Sequence, residues 1–300
     1  MLANFFGKSK PVNFIVLFTL FLCYFSFHLF SRELTIEATK EFIGFTIIFT
    51  IFNFIIAKNQ LTFDNSFGFL IFVLLIGFFP DVIKVDKIFY ASLTILLFLR
   101  KAYSLQSSKN VFSKLYDGGL WLGISFLIEP YTVFFALLFY ISIYLHQRFT
   151  YQTLLLPLIG FSSIVFLFFT YCFWYDKTIV FYKLFKWNFS YNLNTYANTK
   201  YMIPLLCIGF LVFSAILLKS PRALAVLNTF RKNWILICIH LLLSLIVVLF
   251  ITPKTGSEML FIFFPISIIL ANGLELFQHK WQANILLSII LISSIFIYLF

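Results

Sequence analysis

Of the 300 residues, 62% are hydrophobic and 11% are charged, with a mean hydropathy of +0.99 and a formal net charge of +11. A water-soluble chain of this length needs far more polar surface, and the apolar residues run along the whole sequence, so a soluble enzyme and a soluble domain on a single anchor are both excluded. The excess Lys and Arg sit between apolar runs, where they report membrane topology and attraction to an anionic leaflet, and not nucleic-acid binding.

The hydrocarbon core of a bilayer is about 30 Å thick and a helix rises about 1.5 Å per residue, so one crossing takes roughly 20 apolar residues. In chain order, apolar runs near 12–30, 42–57, 66–80, 87–100, 118–129, 130–146, 153–175, 201–218, 234–251, 258–275 and 283–300 predict about eleven hydrophobic segments. The expected fold is an all-α polytopic transmembrane helix bundle, a single integral membrane domain over residues 1–300. The first run is followed by Ser31, Arg32 and Glu33 without a small-residue cleavage pattern, which predicts a retained helix.

The segment SRELTIEATKEF repeats Glu33, Glu37 and Glu41 along one helical face. Mutual repulsion raises the pKa of such carboxylates and suits cation binding or general-base chemistry, which makes Glu33 and Glu37 catalytic candidates. A solvated first helical turn, neutralised by Arg32 and Lys40, accounts for the same pattern. The stretch Asp117–Leu145, as one helix, would be about 43 Å long, more than a bilayer crossing. Glu129-Pro130 lies near its middle, and proline disfavours helix at the preceding residue, so a hairpin of two short helices is expected there.

With that hairpin, the distribution of Lys and Arg favours a cytoplasmic N-terminus in a bacterial inner (cytoplasmic) membrane. Glu33, Glu37, Glu41, Asp81, Asp86, Glu129, Asp176 and Glu258 then fall outside, against Asp64, Asp117 and Glu275 inside. An outer working face and a merely wet outer surface both fit. Glu129, flanked by Phe126, Leu127, Ile128 and Tyr131, is a binding candidate if it lies at membrane depth and simply hydrated if it lies at the interface.

The segment from Asp176 to Lys200 mixes aromatic rings with side-chain amides, a combination that suits sugar or headgroup recognition and equally an interfacial belt; Trp187 and Tyr191 are the binding candidates. Between Lys219 and Lys232, Ser220-Pro221 and the spacing of Leu224, Leu227 and Phe230 predict either an interfacial helix or a basic loop. In TPKTGSEMLFIFFPISIILANGLE, Lys254 suits an anionic phosphate and Glu258 the first turn of a helix, where an acid is favoured; both are substrate-binding candidates, and capping alone also accounts for Glu258. The four histidines are dispersed and the four cysteines form no CxxC pair, so no metal site and no cofactor can be named.

FSKLYDGGLWLGISFLIEPYTVFFALLFYISIYL (residues 112–145) resembles the Gly-rich helix and proline hairpin of GT-C glycosyltransferases, which take polyprenyl-phosphate sugars as donors. The segment Gly256 to Gly273 is similar to the Pro-containing helix near the end of their membrane domain. That resemblance implies an acid of the first outer loop as base, a place only Glu33, or less clearly Glu37, fills, and a polyprenyl-phosphate lipid as partner. Over its whole length, with its MLANFFGKSKPVNF start and TPKTGSEMLFIFFP motif, the chain resembles an uncharacterised family of roughly 300-residue bacterial multi-pass inner-membrane proteins. The function expected is handling or transfer of a lipid-linked glycan at the outer face. The rivals are a non-enzymatic subunit of an envelope assembly or secretion complex, then a transporter. Partners are the lipid bilayer and such a lipid or subunit, and no nucleic acid.

Overall fold

A computed structural model describes residues 2–29, 36–187, 193–225, 228–277 and 279–299. Among these, no strand occurs, and the helices follow the apolar runs. They are α1 (Leu2–Phe6), α2 (Pro11–Leu29), α3 (Ile36–Asn59), α4 (Phe67–Phe78), α5 (Lys87–Tyr103), α6 (Val111–Ile128), α7 (Ala136–Leu145), α8 (Tyr151–Trp174), α9 (Thr178–Lys183), α10 (Asn194–Ala197), α11 (Thr199–Ala225), α12 (Asn228–Phe250), α13 (Leu260–Leu274) and α14 (Lys280–Leu299). Eight helical stretches of the described residues are long and apolar enough to cross a membrane, and three more, within Phe67–Phe78, Pro130–Leu145 and Lys280–Ile295, are apolar but shorter. The expected all-α polytopic bundle is what forms. The chain divides into two compact units, one of Met1–Val85, Asn192–Cys238 and Lys254–Phe300, the other of Asp86–Tyr191 and Ile239–Pro253.

In the first unit, α4 and α13 are the core. Every residue of α4 is buried, and 94% of Ser257–Leu274 is buried. Phenylalanine supplies the contacts: Phe72 stacks on Phe264 at 5.7 Å and meets Phe49 edge-on at 5.6 Å. Lipid tails are as apolar as these side chains, so burial alone does not hold such helices together, and close packing and polar ties must. Asn13 Nδ2 donates to the carbonyls of Phe5 and Lys8 and to Ser66 Oγ. Asn272 Nδ2 donates to the Leu61 carbonyl at 2.9 Å.

A further tie is ionic. Lys219 of α11 lies 3.0 Å from Glu275 beyond α13, with side-chain exposures of only 6% and 7%. The other Glu275 oxygen accepts from the Phe63 amide and Asn65 Nδ2 at 2.9 and 2.7 Å, while the Lys219 ammonium sits 5.3 Å from the rings of Phe63 and Phe230. Each charge is thus wrapped in partners that replace water. Lys219 belongs to a membrane helix and not to a loop: α11 runs through Ser220-Pro221 to Ala225, where a separate interfacial helix or a basic loop was expected.

In the second unit, α6 ends at Ile128 because Glu129 adopts an extended backbone (φ −138°, ψ 103°), the conformation that a following proline favours. Pro130 opens a tight turn to Phe135, and α7 returns beside α5, with Ser142 Oγ donating to the Ala102 carbonyl at 2.8 Å and Phe98 meeting Phe139 at 5.1 Å. The expected proline hairpin is therefore present. Helices α6 and α8 approach through glycine: a Cβ on Gly119 would lie 2.2 Å from the Pro157 carbonyl oxygen, and one on Gly160 would lie 2.3 Å from that of Tyr116. Small residues let backbones pack this closely in lipid. The rest of α8 faces outward, with 17% of its most apolar stretch buried.

Two outcomes are expected. Lys219→Met leaves the Glu275 carboxylate buried without its cation and lowers thermal stability in detergent by about 3–5 kcal/mol, whereas a Lys219→Met/Glu275→Leu pair recovers most of the loss. Gly160→Leu forces α6 and α8 apart and costs about 1–3 kcal/mol or more, while Gly209→Ala, with nothing within 4 Å of the added carbon, leaves the unfolding temperature unchanged or slightly raised.

Candidate functional site

At one end of the first unit, three segments distant in sequence meet. Phe79 leaves the helical region (φ −132°, ψ 76°), stopping α4, and Pro80 starts a tight turn to Ile83 that carries Asp81 and is followed by Lys84. Before α13, Gly256 takes φ +92°, a left-handed conformation unfavourable to side chains, and a Cβ there would lie 2.9 Å from the Tyr201 hydroxyl. Glycine is needed on both counts. Ser257–Met259 then form a short turn leading into α13.

Two phenol–carboxylate pairs join these segments. The Tyr201 hydroxyl, from the start of α11, donates to Asp81 Oδ2, while Lys84 Nζ holds Oδ1 at 2.8 Å. The Tyr196 hydroxyl of α10 donates to Glu258 Oε1. Glu258 Oε2 accepts from the amides of Thr255 and Gly256 at 3.2 and 3.0 Å and from Thr255 Oγ1 at 3.2 Å. The two tyrosine rings meet edge-on, centroids 5.8 Å apart, and Thr195 Oγ1 donates to the Lys254 carbonyl at 3.4 Å.

Burial works against the charge of Asp81, but hydrogen bonds from Lys84 and Tyr201 and the charges of Lys84 and Lys200 prevail and hold its carboxyl below the usual range. Burial, then the charge and hydrogen bond of Glu258, push the Tyr196 hydroxyl far above the ordinary range for a phenol, so it stays a donor. Burial lowers the Lys254 ammonium, partly offset by the charge of Glu258.

Beside these pairs opens a cavity of about 1150 Å³. Its polar end is formed by His28, Asp81, Thr199 and Lys200, and its long wall by apolar side chains including Leu75, Ile203, Leu211 and Ile290. A further pocket of about 50 Å³ shares Ile71, Leu211, Leu270 and Ile290 with it and extends the apolar lining to Leu218 and Phe277. Among the described residues, no three His, Cys, Asp or Glu side chains are grouped so as to hold a metal ion.

Of the residues singled out from sequence, Lys254 and Glu258 lie here. Glu129 lies in the second unit, buried and paired with Lys87 at 3.0 Å. Trp187 also lies there, packed against Tyr131 and Phe134 at 5.9 and 5.8 Å. Glu37 is exposed in the first turn of α3, and Glu41, one turn on, is buried. Glu33 and Tyr191 fall outside the described residues. The residues that sequence reasoning did not assign to a site are Asp81, counted only among the outer acids, with Lys200, Tyr201 and His28. Tyr201 is 120 positions from Asp81 and Tyr196 is 62 from Glu258, so local spacing carried no signal of either pair.

Helices of this length and apolarity, joined by short polar turns, define a multi-pass α-helical membrane protein. The model of DUF6427, a family of unknown function, matches residues 3–300, and the chain belongs to that family. No curated protein and no solved structure matches it. The family agrees with the whole-chain resemblance noted above; the likeness to the GT-C scaffold finds no match.

The pH response of the Asp81 pair has a definite sign. A carboxyl whose folded-state pKa is depressed contributes stability that is full above its ordinary value of 3.8 and is lost as pH falls through the lower folded-state value. The advantage of wild type over Asp81→Asn in detergent thermal unfolding is therefore expected to be constant from about pH 7 to about pH 5 and to shrink towards pH 3. Tyr201→Phe, which removes one charge-assisted hydrogen bond, is expected to cost about 1–2 kcal/mol at neutral pH in the same assay.

Proposed function

We propose that this protein binds a phosphate-headed membrane lipid in the large cavity of its first unit and handles that lipid at the outer face of a bacterial inner membrane. The observation that carries this reading is the combination of an extensive apolar wall with a mouth bearing Lys200 and Asp81. Ligand sites usually measure about 300–1000 Å³, so a cavity of about 1150 Å³ suits a large amphiphile. Lys200, together with Lys84 beside Asp81, outweighs the charge of Asp81 at the mouth, which favours an anionic head.

In this reading Lys200 and Lys84 hold the phosphate and Asp81, fixed by Tyr201, orients Lys84. Glu258 is a positioning residue: its oxygens are already occupied by Tyr196 and the Thr255–Gly256 turn, so it shapes the loop that carries Lys254. A polyprenyl-phosphate glycan carrier is the ligand that the GT-C resemblance implies, with Glu33 as base of a transfer step. A Glu33→Gln variant that keeps full function in a cell-envelope assay removes that step and leaves lipid binding standing.

Purification of the full chain in mild detergent, followed by native mass spectrometry, tests the binding. A phosphate-containing lipid is expected to co-purify, with occupancy reduced at least several-fold in Ile203→Trp, which narrows the cavity near its polar end, and in Lys200→Glu, which reverses the charge at its mouth. Loss of no lipid in either variant overturns the reading. A stoichiometric protein partner with no bound lipid favours the envelope-complex subunit instead.

A further inference from the structure

The second unit carries an amphipathic groove of its own, of about 400 Å³, between α5 and α6 and closed by Ile164 of α8. Arg100 and Lys101, in the last turn of α5, and Asp117 of α6 form one end of it. Leu97, Trp121 and Ile124 line the remainder. Because Arg100 and Lys101 follow Leu97 on α5, and Asp117 precedes Trp121 and Ile124 on α6, the charges lie towards the connection over residues 104–110 and the apolar wall runs away from it.

The charge at that end is strongly unbalanced. Lys101 lies 2.6 Å from Asp117, and Lys114, which donates to the carbonyls of Ser104 and Ser107, is close enough to Lys101 and Arg148 to feel the charge of both. Residues 97–117 and 145–164 contain Arg100, Lys101, Lys109, Lys114 and Arg148 but Asp117 as their single acid. Basic residues at the end of a helix complement its dipole, which accounts for Arg100 and Lys101 taken alone. It does not account for cations contributed by α6 and by the segment before α8, nor for an apolar groove that begins where they stand.

We infer that this groove is a binding site for an anionic phospholipid, its headgroup held by Arg100 and Lys101 and one acyl chain lying along Leu97, Trp121 and Ile124. A small soluble anion would use the charged end and leave the apolar wall empty, and a zwitterionic lipid would gain nothing from the excess of cations. The inference rests on the second unit alone and does not depend on the reading of the larger cavity.

Trp121 is a built-in reporter. The full chain in nanodiscs of phosphatidylcholine, doped with either phosphatidylglycerol or phosphatidylcholine carrying brominated acyl chains, is expected to show selective quenching of the fluorescence component that Trp121→Phe removes. Brominated phosphatidylglycerol should quench it at about fivefold lower mole fraction, the fold-change one cation near an anionic lipid surface contributes. Arg100→Gln, an exposed position whose replacement leaves the Lys101–Asp117 pair in place, should bring the two lipids close to parity. Equal quenching by both lipids in the wild type overturns the inference, as does a preference that survives Arg100→Gln. So does loss of the preference on adding inorganic phosphate alone at constant ionic strength, which would assign the charged end to a soluble anion.

Discussion

A carboxylate surrounded by hydrocarbon keeps its place only when donors of the protein stand where water would be, and the first unit is organised around that requirement. Glu258 is the clearest case. It is fully buried and receives two backbone amides, a threonine hydroxyl and a tyrosine hydroxyl. An unsatisfied group there would cost several kcal/mol. Meeting the requirement goes with local detail: Gly256 takes a positive φ and offers its amide, and α10 brings Tyr196 to the loop before α13. Glu275 repeats the solution within the same unit, with Lys219, Asn65 and a backbone amide as partners. These polar knots supply the helix-to-helix attraction that apolar burial cannot supply inside a lipid solvent.

The same scarcity of hydrophobic driving force shapes the second unit in a different way. There, backbones are brought close by the absence of side chains at Gly119, Gly123 and Gly160, and the chain is reversed by the restriction proline places on Glu129. Glu129 shows that flanking residues report burial but not partners: surrounded by apolar neighbours in sequence, it is buried and ion-paired with Lys87, whose side chain is 59% exposed. Its pairing makes it part of the hairpin's architecture.

Function, in a protein with this composition, follows from where polar side chains interrupt apolar surface. A charged mouth on a long apolar cavity matches the two-part chemistry of a lipid, and the smaller groove of the second unit has the same two parts with the balance moved towards positive charge. Neither arrangement requires a compact catalytic constellation, which agrees with the dispersion of histidine and cysteine along the chain.

The amino-acid sequence by itself determined the solvent, the helix class, the approximate spans and the proline hairpin, because hydropathy over some twenty residues and the backbone restriction at Glu129-Pro130 are local properties. It also marked Lys254 and Glu258, whose helix-start context is local too. It took Ser220-Pro221 for a break because proline there looks the same whether it opens a helix or lies within one. Only the tertiary structure decided that Tyr201 meets Asp81, that Tyr196 meets Glu258 and that Lys219 meets Glu275. Those partners are brought together by the packing of whole helices, and a hydrogen bond across such a distance in sequence leaves no periodic trace in either segment that makes it.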